Sequence, residues 1–313
     1  MKKSNLLFAA IAALLISSCG QVGFEKTKSG LQYKIIKSGD GEKLEHGDFV
    51  KFQYKLTYKD SVVMSTYGVL PAFDQVDSIG RFHDFSEILT KLKVGDSVVT
   101  YQFHDSLQKT SQFGMPPYLK KGEKQIATLK IVKVYKTKAN QDGRELAFAD
   151  YQNEINSYKE KELAEIKKFV DAKNIPAQKL NNSVYVVMEK EGTGRSADSG
   201  LMVGIKYSGK SFEGKYFDSN VDSTKQTMAH PLETFYFVSK KEGAIQGMLE
   251  AITAFKVGSK GTLYVPSTLA YGPQGNPPVI KPYENLIFEI EVVEVKDAPA
   301  QQPQGMPPGG GGY

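Results

Sequence analysis

The chain has 313 residues, enough for two ordinary domains. Its formal charge of +5 includes Lys2 and Lys3 at the N-terminus, and elsewhere Lys alternates with Glu and Asp. No basic block is left to form a nucleic-acid surface, and a single cysteine, Cys19, excludes an internal disulfide.

Lys2 and Lys3 precede an apolar run from Leu6 to Ile16, too short to span a bilayer and laid out like a secretory signal. The run closes on Ile16-Ser17-Ser18-Cys19, which resembles a bacterial lipobox. On that reading residues 1–18 are a signal peptide, the Cys19 thiol carries lipid, and 19–28 form a lipidated tether. The alternative is an ordinary exported protein with a spare thiol. At the other end, 297–313 is a tail of Pro, Gly and Gln with too few apolar groups to build a core, and disorder is expected there.

Between these ends the chain repeats itself. SGLQYKIIKSGDGEKLEHGDFVKFQYKL from Ser29 aligns without a gap on NSVYVVMEKEGTGRSADSGLMVGIKYSG from Asn182, an offset of 153. Gly39, Gly41, Gly47, Val50 and Tyr54 fall on Gly192, Gly194, Gly200, Val203 and Tyr207. Glycines at the same turns, with period-two apolar runs between them, indicate one hairpin built twice. Further on, Leu92-Lys93-Val94-Gly95 matches Phe255-Lys256-Val257-Gly258 at an offset of 163, so the second copy carries about ten extra residues within NVDSTKQTMAHPLETF. Each copy has one short helical pattern, Phe85, Ile88, Leu89 and Leu92 in the first and Ile245, Met248, Leu249, Ile252 and Phe255 in the second.

The linking stretch has Leu146, Tyr151, Ile155, Tyr158, Ile166, Phe169 and Val170 at three- and four-residue steps, with Lys and Glu opposite. This predicts an amphipathic helix of about 25–30 residues, roughly 40 Å long and ended by Pro176. Its stripe rests either on a domain of the same chain, the favoured reading, or on the same helix of a second molecule.

The stretch Tyr264–Val295 reads as strand, long loop, strand. The loop holds Gly272, Pro273, Gly275, Pro277, Pro278 and Pro282, which forbid regular structure, beside Tyr271, Val279, Ile280 and Tyr283. A loop with those side chains covers something. AYGPQGNPPVI followed by ENLIFEIEV resembles the flap and last strand of the FKBP-type peptidyl-prolyl isomerases. The likeness extends over roughly 29–136 and 182–296. It implies an α+β fold: two FKBP-like domains, each an antiparallel sheet wrapped on a short helix, joined by the long amphipathic helix. The expected organisation is then a degenerate domain at 29–137, a helical connector at 138–181 and an isomerase domain at 182–296.

Isomerising an X–Pro bond needs no metal, cofactor or covalent intermediate. The barrier of about 18–20 kcal/mol comes from amide resonance, which is lost in the twisted transition state. A dry aromatic pocket with one or two oriented donors favours the less polar twisted amide. The resemblance places such a pocket in the second copy. Tyr207 in IKYSG, Phe217 and Asp218 in YFDS, Ile245 in AIQG and Tyr271 in AYG match the family's pocket tyrosine, Phe-Asp pair, ligand-binding amide and flap hydroxyl. Ile280 and Phe288 match apolar walls, with Ala244 and Asn276 as lesser substrate contacts. Met248 stands where the family commonly has a tryptophan floor, and Asn276 where the flap commonly has histidine. The extra residues before Leu232 displace the usual basic residue, leaving Lys225 as a loose counterpart. Taken singly, Tyr207, Phe217 and Phe288 also fit plain strand core; their joint order favours the pocket.

At the same offsets Phe217 falls on Met64, Asp218 on Ser65, Met248 on Phe85 and Tyr271 on Gln108, and in the final strand IATLKIVKV Ala127 stands where Phe288 is expected. The first copy is therefore expected to be inactive and to hold client polypeptide, to dimerise, or to space the second from the membrane. His83 and His104 lack the Cys or acidic cluster of a metal site. The whole reads as a cell-envelope lipoprotein, on the outer membrane facing the periplasm, that isomerises proline bonds in unfolded or nascent exported polypeptides. The competing reading is a non-catalytic chaperone or scaffold. A homodimer would use the connector helix or the first domain.

Overall fold

The computed structural model describes residues 23–28, 30–77, 85–110, 118–181 and 183–299. Cys19, the signal segment, Ser29, His83, Asn182 and the tail from residue 300 lie outside the described residues. The chain divides into two compact units. One takes residues up to Tyr67 and Pro71–Ala147; the other takes Gly68–Leu70 and the residues from Phe148 on.

In the first unit β1 (Glu25–Lys26), β2 (Gln32–Lys37), β3 (Phe49–Tyr58), β4 (Ser61–Ser65), β5 (Ala72–Gln75), β6 (Ser97–Phe103) and β7 (Lys124–Tyr135) form one antiparallel sheet. Its order is β1-β2-β6-β7-β3-β4, with β5 also on β3. The expected Phe85–Leu92 helix is a 3-10 helix, Phe85–Lys91, and it seals the core with Ile88 and Leu89. A short helix α1 (His104–Thr110) follows β6.

The helix α2 (Gly143–Ala172) has the expected length. Asp142 starts it, its carboxylate accepting from the Arg144 N–H at 2.8 Å. It stops before Pro176, because Asn174 adopts a left-handed φ of 52° and the Ile175 N–H turns back to the Val170 carbonyl.

In the second unit β8 (Gln178–Leu180), β9 (Val184–Lys190), β10 (Leu201–Ser211), β11 (Tyr216–Ser219), β12 (Phe235–Val238), β13 (Lys260–Val265) and β14 (Leu286–Asp297) run in the order β8-β9-β13-β14-β10-β11, with β12 on β10. This repeats the first sheet strand for strand. Even the bulge recurs, at Lys51/Phe52 and at Gly204/Ile205. The repeated glycines have a steric reason. A Cβ on Gly39 would lie 2.2 Å from the Val94 carbonyl oxygen, and one on Gly192 2.4 Å from that of Val257.

The ungapped alignment fails at one place. Thr66 exchanges hydrogen bonds with Tyr54 as Asn220 does with Tyr207, an offset of 154. Leu56 pairs with Met64 where Gly209 pairs with Asp218. The hairpin is one residue longer in the second unit, and Gly214 turns it with φ of +87°. Met64 therefore stands in the place of Asp218, not of Phe217, and the exposed Val63 takes the place of Phe217.

In the second unit one end of β9, β13 and β14 is buried on both faces. Val184, Val186, Leu263, Val265, Leu286 and Phe288 face the core around α3 (Gln246–Ala251). A Cβ on Gly247 would lie 2.4 Å from Val265 Cγ1, so this glycine lets α3 settle on the strands. The alternate residues Tyr185, Tyr264 and Ile287 pack under Leu163, Ile166 and Val170 of α2. Phe169 adds ring contacts with Phe212, at 4.4 Å, and Tyr264, at 6.2 Å. The C-terminal half of the helix stripe thus rests on a domain of its own chain. Among the described residues no helix is long and apolar enough to cross a membrane.

Candidate functional site

Phe217, Met248, Ile280 and Phe288 come together in one buried cluster, with Tyr207, Ala244, Ile245 and Tyr271 at its edge. Strand alternation explains the walls: Phe217 on β11 and Phe288 on β14 point inward from either side of β10. Their rings meet edge to face, 5.7 Å apart at 80°. They have room because residue 209 between them is glycine; a Cβ there would lie 2.6 Å from Phe217 Cζ and 3.0 Å from Phe288 Cε1.

Met248, 3% exposed, is on the core-facing side of α3 and lies within the cluster. Ile245 is the N-cap of that helix with extended backbone, so its N–H stands outside the helical hydrogen-bond ladder. The loop over the cluster is held by its own bonds. Gly272 N–H donates to the Ser267 carbonyl at 2.8 Å and Tyr283 N–H to that of Gly272 at 2.9 Å; Asn276 and Ile280 exchange two more. Gly275 has φ of +62° and no space for a side chain, since a Cβ would lie 2.5 Å from the Ile280 carbonyl oxygen. Asn276 itself is exposed and apart from the buried cluster.

One polar line borders this apolar enclosure. The Tyr207 hydroxyl donates to Asp218 Oδ2 at 2.5 Å, and the Ser219 N–H donates to Oδ1 at 2.8 Å. His230 Nε2 lies 2.7 Å from the same Oδ1, while its Nδ1 lies 2.9 Å from the Pro231 carbonyl oxygen. Both ring nitrogens lie near acceptors, with the Gln226 amide nitrogen 3.3 Å from Nε2 as well, so the site favours the protonated ring. The Asp218 bond, then the Pro231 carbonyl, raise the His230 pKa accordingly. Burial, then the Asp218 carboxylate, keep the Tyr207 and Tyr271 phenols protonated by pushing their pKa values up.

Four parts of this arrangement escaped the sequence reading. His230 comes from the inserted segment and stands beside Asp218 in place of Lys225; Lys225 instead sits 4.4 Å over the Tyr216 ring. Asn220 pins Tyr207, accepting from its N–H at 2.6 Å and donating to the Ile205 and Glu233 carbonyls. Phe235 meets the Tyr207 ring edge-on at 5.7 Å. Gly209 makes the space. The Phe-Tyr-Phe run at 235–237 was the one legible sign of a further aromatic strand.

In the first unit the Tyr54 hydroxyl lies against the Met64 sulfur, Leu56 occupies the Gly209 position, and Ala127 pairs with it where Phe288 would be. Phe85 fills the space beside Phe52 and Tyr54. His104 is paired with Asp105 at 3.0 Å.

Comparison with known proteins bears on the same segment. Residues 193–293 match a family model described as FKBP-type peptidyl-prolyl cis-trans isomerase. The peptidyl-prolyl cis-trans isomerase Mip of Coxiella burnetii is 36% identical over 125 residues, 40% of this chain and 50% of its own. The FKBP-type isomerase FkpA of Escherichia coli is 33% identical over 144 residues, 46% of this chain and 48% of its own. The chain spans from about a quarter to half the length of the curated relatives it matches. A solved isomerase of Pseudomonas syringae, 26% identical, aligns over 44% of this chain and 96% of its own with a TM-score of 0.36.

Proposed function

We propose that this chain, whose residues 193–293 belong to the FKBP-type peptidyl-prolyl cis-trans isomerase family, catalyses cis–trans isomerisation of X–Pro bonds at the second-unit pocket. The observation that carries the reading is the enclosure itself. Phe217, Met248, Ile280 and Phe288 are buried together, and the Tyr207–Asp218–His230 line borders them.

The substrate is a proline-containing polypeptide. Its proline ring enters the apolar enclosure over Met248. The Ile245 N–H, free of the helix ladder, donates to a carbonyl of the bound peptide and fixes its orientation. As the amide twists it loses resonance and polarity, and an environment stripped of water favours that state over the planar one. The Tyr271 hydroxyl, kept protonated, serves as a donor from the flap to the peptide. Asp218 orders the Tyr207 ring as a wall. Uncatalysed, the step takes tens to hundreds of seconds, slow enough to limit folding.

The test is a prolyl-isomerisation assay on the whole chain with peptides varied before Pro. Turnover above the uncatalysed rate is expected; rates equal to that control across the series would overturn the proposal. The Ile16-Ser17-Ser18-Cys19 motif supports a second element, a lipid on Cys19 that anchors the protein to the bacterial envelope, with exported polypeptides as clients and the outer membrane's periplasmic face as its location. Radiolabelled palmitate incorporation that survives Cys19→Ser would disprove it. We assign any homodimer to the first unit or to the N-terminal half of α2, because the C-terminal half of its stripe is already occupied.

A further inference from the structure

On the buried stripe of α2, one turn after Tyr158 and one before Ile166, stands an acid. Glu162 is only 1% exposed. Its Oε1 accepts from the Ser267 hydroxyl and from the Ser267 N–H at 3.2 Å, a donor shared with Asn285 Oδ1 at 2.9 Å. Its Oε2 accepts from the Thr268 hydroxyl at 2.7 Å and the Thr268 N–H at 3.1 Å. Burial raises the carboxyl's pKa against the pull of these donors. The apolar contacts of Leu163, Ile166 and Val170 already dock the helix, and a charge taken out of water beside them is costly unless it is fully paired.

What the carboxylate grips is the root of the flap. Ser267–Leu269 is the 3-10 turn that follows β13, and its first carbonyl accepts from the Ala270 and Gly272 N–H groups on either side of Tyr271. The helix also meets the flap's far end. The Tyr158 ring lies 5.5 Å from that of Tyr283 at 70°, and the Tyr283 N–H closes the flap onto Gly272.

We propose that Glu162 is a positioning residue of the isomerase pocket: by holding Ser267 and Thr268 it sets where the flap, and with it Tyr271, stands over the site. The connector helix is then a working part of the pocket as well as a cover for the sheet. This rests on the isomerase reading above. It predicts that changes on α2, which touches no substrate, alter turnover through the flap.

The test uses the whole chain with Glu162→Gln, which keeps length and one acceptor, Glu162→Ala, and Thr268→Val, which removes one flap donor without touching the helix. Amide hydrogen exchange in the flap, residues 266–284, should quicken about tenfold in Glu162→Gln and Thr268→Val, with exchange in β9, β13 and β14 unchanged. kcat/KM should fall about tenfold, less for Glu162→Gln than for Glu162→Ala. Should Glu162→Ala fail to fold, the other two variants decide. Flap exchange equal to the parent's in both overturns the inference. Equal acceleration in flap and strands overturns it too, since the contact would then be a general stabiliser. A parent chain without turnover would sink the isomerase reading alone, leaving the exchange pattern to judge Glu162.

Discussion

The two units weave seven strands in the same order, yet among the described residues only the second sets a carboxylate at the edge of a cluster of aromatic rings. The differences are few and local. Gly209, Asp218 and Phe288 in one are Leu56, Met64 and Ala127 in the other. They also compensate: the leucine side chain occupies the zone that a glycine leaves open for two rings, and a sulfur meets the tyrosine hydroxyl where a carboxylate would. A sheet of this kind keeps its shape under such exchanges because its core needs only apolar volume, while a pocket needs a hole, its walls and a charge at once.

The largest expected effect comes from importing the first unit's filler. Gly209→Leu would drive a side chain into Phe217 and Phe288. It should cost about 1–3 kcal/mol of stability by overpacking. Turnover should fall to the uncatalysed rate, as read by chemical denaturation beside the isomerisation assay. If turnover persists, the two rings are not the walls of the site. Next, Asp218→Met copies the other half of the difference. The sheet should stay folded by circular dichroism, while kcat/KM drops about 10- to 100-fold as Tyr207 loses its anchor. Parent-like kcat/KM would remove Asp218 from the working pocket.

The smallest effect concerns the inserted segment. His230 lies 2.7 Å from Asp218, and its pKa is raised above the ordinary value of about 6.5. A raised folded-state pKa means that the pair's contribution is complete below about pH 6.5 and fades as pH rises through the raised value. Being solvent-exposed, the pair should be worth only about two- to threefold in kcat/KM. A pH profile with that step, absent in His230→Ala, is expected; identical profiles would leave the histidine without a role.

Much of this could be read from the chain. The glycines that close on Val94 and Val257, the repeat and the helix follow from local pattern, while the buried pocket residues are named through the resemblance of the flap and its flanking strands to a known family. The misplaced match of Met64 shows where pattern stops. Met64 and Phe217 are both apolar, so an ungapped alignment looked right, and only the cross-strand pairing shows that the hairpin had gained a residue. His230 and Glu162 were hidden for a different reason. Each acts on a residue distant in sequence, Asp218 across the inserted segment and Ser267 across more than a hundred positions. A single glutamate within an apolar stripe was the one available hint.

The double covering of the second sheet also bears on how the protein can be cut. Val184-Tyr185-Val186-Val187, Leu263-Tyr264-Val265 and Leu286-Ile287-Phe288 are apolar on both sides, unlike strands with one wet face. A fragment begun after α2 would expose Tyr185, Phe212, Tyr264 and Ile287 to water as a continuous sticky sheet. Poor solubility of such a fragment would reflect the missing helix, and a soluble preparation should begin no later than Gly143.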